Sequence, residues 1–183
     1  MTYELPTSVV VAGVEYEVRS DYRPILDICM AISDAELSDQ ERAEAVLDIF
    51  YPAFEELPQR DYGEAIEKCF WFINCGDAGE NRKAPKLMDW EQDFQYIVAP
   101  VNRVVGSEIR SMPYLHWWSF VAAYYEIGDC LFAQIVRIRS KKASGKALDK
   151  SDRDWYAKNR ALVDLKVKYT DAEDTLLKQW AKG

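Results

Sequence analysis

Residues 114–142 read YLHWWSFVAAYYEIGDCLFAQIVRIRSKK, the most apolar stretch of the chain. Gly128 and Asp129 divide this stretch into two segments. In both segments, apolar side chains recur at the three- and four-residue spacing of an α-helix. Because both are apolar on more than one face, they are typical of helices that are substantially buried. We therefore expect two central helices that organise a mainly α fold.

The one convincing strand pattern lies at the N-terminus, over about residues 8–18. A run of three valines, Val9–Val11, is followed by Ala12 and Gly13, which predict a turn. Beyond the turn, apolar residues at 14, 16 and 18 alternate with glutamates at 15 and 17, so one face is apolar and the other acidic. A lone hairpin is marginal in water. The predicted hairpin must therefore pack on helices or pair with another chain.

Cap residues and breakers divide the rest of the chain into predicted helices. Helices are expected to begin after Ser20 or Asp21, at the capping-box sequence that starts with Ser38, at Asp61 and at Asp89. Pro52, Gly76 and Gly106 are the expected ends, and residues 76–88 form the main loop. Pro100 removes a backbone donor, so we expect a kink or a break there.

The predicted organisation is a helical body over residues 1–150, including the hairpin, and a helical extension over residues 151–183. The extension is expected to be one long helix from about Ser151 towards Trp180, with a thin apolar stripe and a densely charged opposite face. Such a helix could leave the body and pack on a partner. The candidate partner contacts on its stripe are Trp155, Leu162, Tyr169 and Trp180.

A basic segment precedes the extension, with Asp149 as the single acid within it. One interpretation is a solvated helix end, where cations are stabilised by the exposed carbonyls, followed by a surface loop. The other is a docking segment for an acidic partner or a nucleic acid. No aromatic residues are interleaved, so stacking on single-stranded nucleic acid is not supported. The candidate docking residues are Arg137, Arg139, Lys141, Lys142, Lys146 and Lys150.

The composition argues against a catalytic centre. His116 is the single histidine of the 183 residues, and its apolar surroundings favour a buried structural role. Four cysteines show no CxxC spacing, and no glycine-rich phosphate motif occurs. Asp89 and Asp93 could share a divalent ion, but the helix dipole alone favours acids in a first turn. We therefore expect that the protein is not an enzyme and binds no cofactor or metal. The absence of a long apolar run argues against a membrane-spanning helix, and the net charge of −8 argues against a nucleic-acid partner.

Six strings together resemble the "gene product fifteen" (Gp15) family of bacteriophages and prophages of Gram-positive bacteria. They lie within residues 5–160, and the runs FINCG, DWEQD and LHWW are jointly specific in this order. The six strings are LPTSVVVAGVEYEVRSDYR, ELSDQERAEAVLDIFYP, AIEKCFWFINCG, DWEQDFQYIVAPVNRVVGSEIR, LHWWSFVAAYYEIGD and IRSKKASGKALDKSDRDWYAKN.

The resemblance implies a place in the tail module of long-tailed siphophages, between the major tail protein and the tape-measure protein. Proteins encoded there commonly act as tail assembly chaperones that coat the tape-measure protein. We therefore expect a non-catalytic, homo-oligomeric chaperone in the cytoplasm of the infected or lysogenic host bacterium. The alternative is a structural tail completion or connector component of the virion. An enzyme or a nucleic-acid binder is disfavoured by the single histidine, the missing phosphate loop and the acidic balance.

Overall fold

A computed structural model describes residues 4–77 and 85–166, which fall into two compact units. The described part of the first unit is residues 4–77, and that of the second is residues 85–166. The boundary predicted at residue 150 does not coincide with this division, because residues 151–166 belong to the second unit.

The first unit begins with the predicted hairpin. Strands β1 (Ser8–Val11) and β2 (Val14–Glu17) pair antiparallel, with Ser8 opposite Glu17 and Val11 opposite Val14. Ala12 and Gly13 have φ values of 49° and 82°, the left-handed conformation that a two-residue turn of type I′ requires. Arg19 fastens the end of the hairpin to the next layer, since its guanidinium donates to the carbonyl oxygens of residues 48 and 49.

Three helices complete the first unit, and their caps follow the sequence. The Asp21 side chain accepts the backbone N–H of Arg23, and Ser38 and Glu41 form the predicted reciprocal capping box. Asp61 precedes the third helix without a side-chain cap bond. Two short 3₁₀ turns, Phe54–Glu56 and Gln59–Asp61, connect the second helix to the third. The helices are α1 (Tyr22–Ile32), α2 (Asp39–Phe50) and α3 (Tyr62–Ile73).

The core of the first unit is packed where α1, α2 and α3 meet. Tyr51 is buried there and satisfies its hydroxyl by donating to the Ala65 carbonyl oxygen at 2.9 Å. Burial raises the pKa of the Cys29 thiol to about 11 and also raises that of Cys69, so both are protonated at neutral pH. The two therefore behave as small apolar side chains. Fully buried core residues include Ile25, Ile28, Leu47, Phe50, Cys69 and Phe72.

The second unit is helical throughout its described length except for one 3₁₀ turn, Ile109–Ser111, and the connecting loops. Its first helix starts at the predicted cap Asp89 and ends at Gly106, whose φ of 77° suits a glycine. That helix continues through Pro100 without a break, although a kink or a break was predicted there. The helices are α4 (Trp90–Val105), α5 (Trp117–Tyr125), α6 (Leu131–Ala143), α7 (Lys150–Lys158) and α8 (Arg160–Val163).

Aromatic rings form the centre of the second unit. The Trp90 ring lies 5.6–6.0 Å, centroid to centroid, from the rings of Trp117, Phe120 and Tyr124. His116 is 4% exposed and caps α5, because its Nδ1 atom accepts the backbone N–H of Trp118 at 3.0 Å. The predicted structural role of this histidine is thereby confirmed.

The mainly α fold with a small N-terminal hairpin is confirmed, but the C-terminal helix is not continuous over the described residues. Helix α7 ends before Asn159, whose side-chain amide donates to the Trp155 carbonyl oxygen, and α8 is only one turn long. The rest of the predicted helix, residues 167–183, lies outside the described part of the chain. None of the described helices combines the length and hydrophobicity that a membrane crossing requires.

Candidate functional site

Arg139 of the predicted docking segment is a buried anchor of the second unit. Its side chain is 5% exposed, and two of its N–H groups bind the two carboxylate oxygens of Asp93 at 2.6 and 3.0 Å. The remaining three donate to the carbonyl oxygens of Leu87, Leu162 and Val163 at 3.1, 3.0 and 2.5 Å. All five guanidinium donors are thus used internally. The inclusion of Arg139 in a surface docking segment was therefore wrong.

The same contacts explain why the C-terminal helix stops. In a continuing helix, the carbonyl oxygens of Leu162 and Val163 would accept N–H groups from the next turn. Here Arg139 occupies both oxygens. Val163 itself is fully buried, which draws this part of the chain into the unit. The end of α8 is therefore set by a tertiary contact, and no local breaker was present to predict it.

Two neighbouring cations of the segment converge on a single carboxylate. Asp152 has a side chain only 3% exposed, and it pairs with Arg137 at 2.7 Å and with Lys141 at 2.5 Å. The hydrogen bond to Asp152 raises the pKa of Lys141. These two cations therefore serve mainly to fasten α6 to the start of α7.

Lys142 belongs to a third internal contact. Its ammonium group donates to the Tyr156 hydroxyl and to the Asp164 carboxylate, each at 2.6 Å, and lies 4.2 Å from the centre of the Tyr156 ring. Burial acts to raise the pKa of Asp164, but the hydrogen bonds from Lys142 and Tyr156 lower it. Lys146 and Lys150 are exposed, and they are the two cations of the segment for which no ion pair with a described residue is found. A docking role for the segment stays a prediction.

Two of the four candidate partner contacts lie in the described residues. Trp155 on α7 and Leu162 on α8 are both half-buried, so each presents part of its surface to solvent. Tyr169 and Trp180 lie outside the described part of the chain. A role of these residues in partner contact remains a prediction.

The acidic pair at the start of α4 is already committed to structure. Asp89 accepts the Gln92 N–H at 3.0 Å and pairs with Lys86 at 2.8 Å. Asp93 accepts the Asp89 N–H at 2.9 Å and holds Arg139. Over residues 4–77 and 85–166, no group of three or more histidine, cysteine or acidic side chains is arranged to hold a metal ion.

Three exposed apolar side chains lie on α4, α5 and α6, near the loop that joins α5 to α6, and the sequence did not single them out. Tyr125 at the end of α5 is 78% exposed, and Leu131 at the start of α6 is 44% exposed. Val104, 40% exposed, lies near the end of α4, where Arg103 donates to the loop carbonyl of Ile127. The available signal was the number of rings in residues 114–125, which exceeds what one helix face can bury. We call Val104, Tyr125 and Leu131 the apolar rim.

Charge is divided unequally between the two units. Residues 4–77 carry seventeen acidic and five basic side chains, a net −12, whereas residues 85–166 carry ten acidic and thirteen basic side chains, a net +3. The overall charge of −8 therefore conceals a strongly acidic unit and a weakly basic one.

These features define a mainly helical protein with buried polar anchors and with exposed apolar and charged side chains. The chain belongs to the Bacteriophage Gp15 protein family, whose model matches residues 1–165. It is therefore a bacteriophage protein, and the family suggests a structural one. No curated protein matches the chain, and no solved structure matches it.

Proposed function

We propose that this protein is a tail assembly chaperone that binds the tape-measure protein of its phage and catalyses no reaction. The observation that carries the proposal is the apolar rim, with Tyr125 exposed over 78% of its surface. Exposed apolar side chains that come together on a protein surface mark protein-interaction sites, and we propose that these three residues form one. Membership of the phage family supplies the biological setting.

The chemistry of the rim suits a helical client. A long helix-rich client presents apolar side chains at successive turns, and such faces bind to exposed apolar surfaces on a partner. Tyr125 adds a hydroxyl at the edge of its ring, so it can contact both apolar and polar parts of a client helix. The acidic first unit, with its net −12, would keep the loaded complex soluble in the cytoplasm of the host bacterium.

Four of the side chains that could serve catalysis have structural roles, which fits the proposed non-catalytic function. The imidazole of His116 caps a helix, and Asp93 is held by Arg139. Burial raises the pKa of Cys29 and Cys69, so neither thiol is an activated nucleophile.

Co-expression with the tape-measure protein, followed by pull-down at moderate salt, tests the proposal. We expect the wild-type chain to hold the tape-measure protein in solution and the double variant Tyr125→Ala/Leu131→Ser to lose it. Tyr114→Ala is the matched control, because Tyr114 is an exposed tyrosine of the same unit (47%) outside the rim. If both variants bind as well as the wild type, the rim is not the client site.

A structural tail completion or connector component is the alternative, and family membership is what favours it. The same phage preparation distinguishes the two functions. A chaperone is absent from purified particles, whereas a completion or connector protein is retained in them. Retention in the particle, together with no binding to the tape-measure protein, would overturn the chaperone proposal in favour of the structural one.

The truncation that tests the C-terminal contacts must respect the packing of the second unit. Removal of residues 151–183 would delete Asp152 and Val163, which are buried in that unit, and would leave Arg139 without two of its acceptors. A chain that ends at Lys166 keeps these contacts and removes Tyr169 and Trp180. If this shorter chain still binds the tape-measure protein, neither of these two residues is the essential client contact.

A further inference from the structure

Strand β1 and helix α3 of the first unit border an open groove of about 1100 Å³. Val10 of the strand and Phe70 of the helix line it, and they are 52% and 41% exposed. The half-buried Trp71 also lines it, and a Cβ atom added at Gly63 would meet nothing within 4 Å. The groove is therefore partly apolar and accessible along the edge of the hairpin.

The β1 edge that borders the groove has backbone groups free for pairing. The two strands pair directly across a two-residue turn, so Ser8 and Val10 hold the positions whose N–H and C=O groups point away from β2. Among the residues that the structure describes, none accepts the backbone N–H of Ser8 or Val10. The next outward N–H, that of Ala12, donates to the Glu64 carboxylate of α3 at 3.1 Å. The edge is thus closed at its turn end and open at Ser8 and Val10.

The two faces of the hairpin set the side-chain pattern of a strand that would extend it. Val9 and Val11 point to the core side of the hairpin and are buried. The opposite face is exposed, and it carries Val10 on β1 together with Glu15 and Glu17 on β2. Successive side chains of a strand point to opposite faces of a sheet. An added strand would therefore continue one apolar face and one face that lies beside acids.

The charges around the groove favour a basic occupant. Three charged residues of α3 line it, Glu64, Glu67 and Lys68, for a net charge of −1. Glu15 and Glu17 add two negative charges on the exposed face of the hairpin. Neither Glu67 nor the hairpin glutamates form an ion pair with a described cation. Even with Lys68 counted, the acids in and beside the groove outnumber its one cation.

A second copy of the hairpin does not fit these charges. Over the part of the chain that the structure describes, the strands are β1 and β2, and neither carries a basic residue. Strand β2 alternates as an added strand would, but its alternate residues are glutamates, and like charges on neighbouring strands are destabilising. The strand that fits alternates in the same way, with basic residues in place of the glutamates.

We propose that the β1–α3 groove binds an extended segment of a partner protein in which apolar residues alternate with lysine or arginine. The segment adds to the hairpin as a third strand, and its backbone bonds Ser8 and Val10. Its apolar side chains contact the side of the groove that carries Phe70, and its cations pair with the unpaired acids. The site belongs to the first unit and does not use the apolar rim, so it can fail or succeed separately from the proposed function.

Binding of a labelled synthetic peptide, Lys-Val-Lys-Val-Lys-Val-Lys, to the full-length chain tests the proposal by fluorescence anisotropy. We expect saturable binding of this peptide and much weaker binding of its counterpart with glutamate in place of lysine. The matched control is the basic peptide with methylated backbone amides, which keeps every side chain but has no N–H to pair with the strand edge. Equal binding of the methylated peptide would overturn the proposal, since charge alone would then hold it.

Three variants of the chain locate the binding site. Val10→Pro removes one outward N–H and should weaken peptide binding by about tenfold, the effect of losing one hydrogen bond. Glu67→Lys should weaken it by about fivefold, the effect of one exposed ion pair. Glu55→Lys makes the same change in net charge at an exposed acid outside the groove and should leave binding nearly unchanged. Equal losses in the two charge reversals would overturn the proposal, because they indicate general attraction to an acidic unit.

Hydrogen exchange at the Ser8 and Val10 amides keeps the test decisive if the proline variant folds poorly. Both amides should exchange fast in the free full-length chain and slow down when the basic peptide is added. Slow exchange in the free chain at every concentration would mean that its own residues fill the groove. Slowing that appears only as the free chain is concentrated would mean that a second copy fills it. Either result, or fast exchange at saturating peptide, would overturn the proposal.

Discussion

Replacement of Arg139 by alanine should be among the most damaging single changes in the second unit. The arginine makes five hydrogen bonds, two of them to the Asp93 carboxylate, whose side chain is fully buried. Alanine would leave that carboxylate without its counter-charge and three carbonyl oxygens without a donor. Breaking a buried pair by removing one partner costs about 3–5 kcal/mol. The equilibrium constant for unfolding should therefore rise by roughly two to three and a half orders of magnitude.

Urea denaturation followed by tryptophan fluorescence measures this loss, because Trp90 and Trp117 lie in the aromatic core of the same unit. Arg137→Ala is the matched control on the same helix. Arg137 is 54% exposed, and its acceptor Asp152 keeps Lys141. An exposed pair of this kind is worth at most about 1 kcal/mol. If Arg139→Ala costs no more than Arg137→Ala, the description of Arg139 as the anchor of α8 is refuted.

Three further predictions concern single residues. Gly63→Ala should stabilise the first unit by about 0.5–1 kcal/mol, because the added methyl group meets open space. Gly106→Ala should destabilise the second unit by about 1 kcal/mol, because Gly106 has a φ of +77°. The urea midpoints of both variants check the two signs. Burial raises the pKa of Cys29 to about 11. Cys29 should therefore react with a thiol reagent at pH 8 far more slowly in the native chain than in the urea-unfolded chain. Equal reaction rates would contradict the burial of this thiol. Hydrogen bonds from Arg110 lower the pKa of Glu108 to about 2 from 4.5, so its contribution is full above pH 4.5 and lost as the pH falls through 2. Glu108→Gln should thus be less stable than the wild type at pH 7, with a difference that shrinks below pH 4.5, and a pH-independent difference would contradict this.

Features set by neighbouring residues could be predicted from the sequence. The capping box at Ser38, the cap at Asp89 and the hairpin turn at Ala12 each depend on contacts within four residues. The apolar spacing of residues 114–142 likewise gave α5 and α6. The alternation in β2 assigned its acidic face to solvent. Local geometry and periodicity determine these elements, so one sequence suffices to find them.

Features set by distant residues could not be predicted in this way. Asp93 and Arg139 are forty-six positions apart, and nothing in either local sequence selects the other. The prediction therefore placed Arg139 on the surface, and it extended the last helix past Val163. The β1–α3 groove brings together Val10 and Phe70, sixty positions apart, and became visible only once the hairpin and the helix were placed.

Ionic strength tests whether the apolar rim is the client contact. Added salt shortens the Debye length from about 8 Å at 0.15 M to about 3 Å at 1 M, so it screens attraction between charged surfaces. Val104, Tyr125 and Leu131 carry no charge, so binding of a helical client through them should persist at 1 M salt. Loss of the tape-measure protein from the pull-down at 1 M salt would show that charged surfaces hold it, and the apolar rim would then have no part in binding.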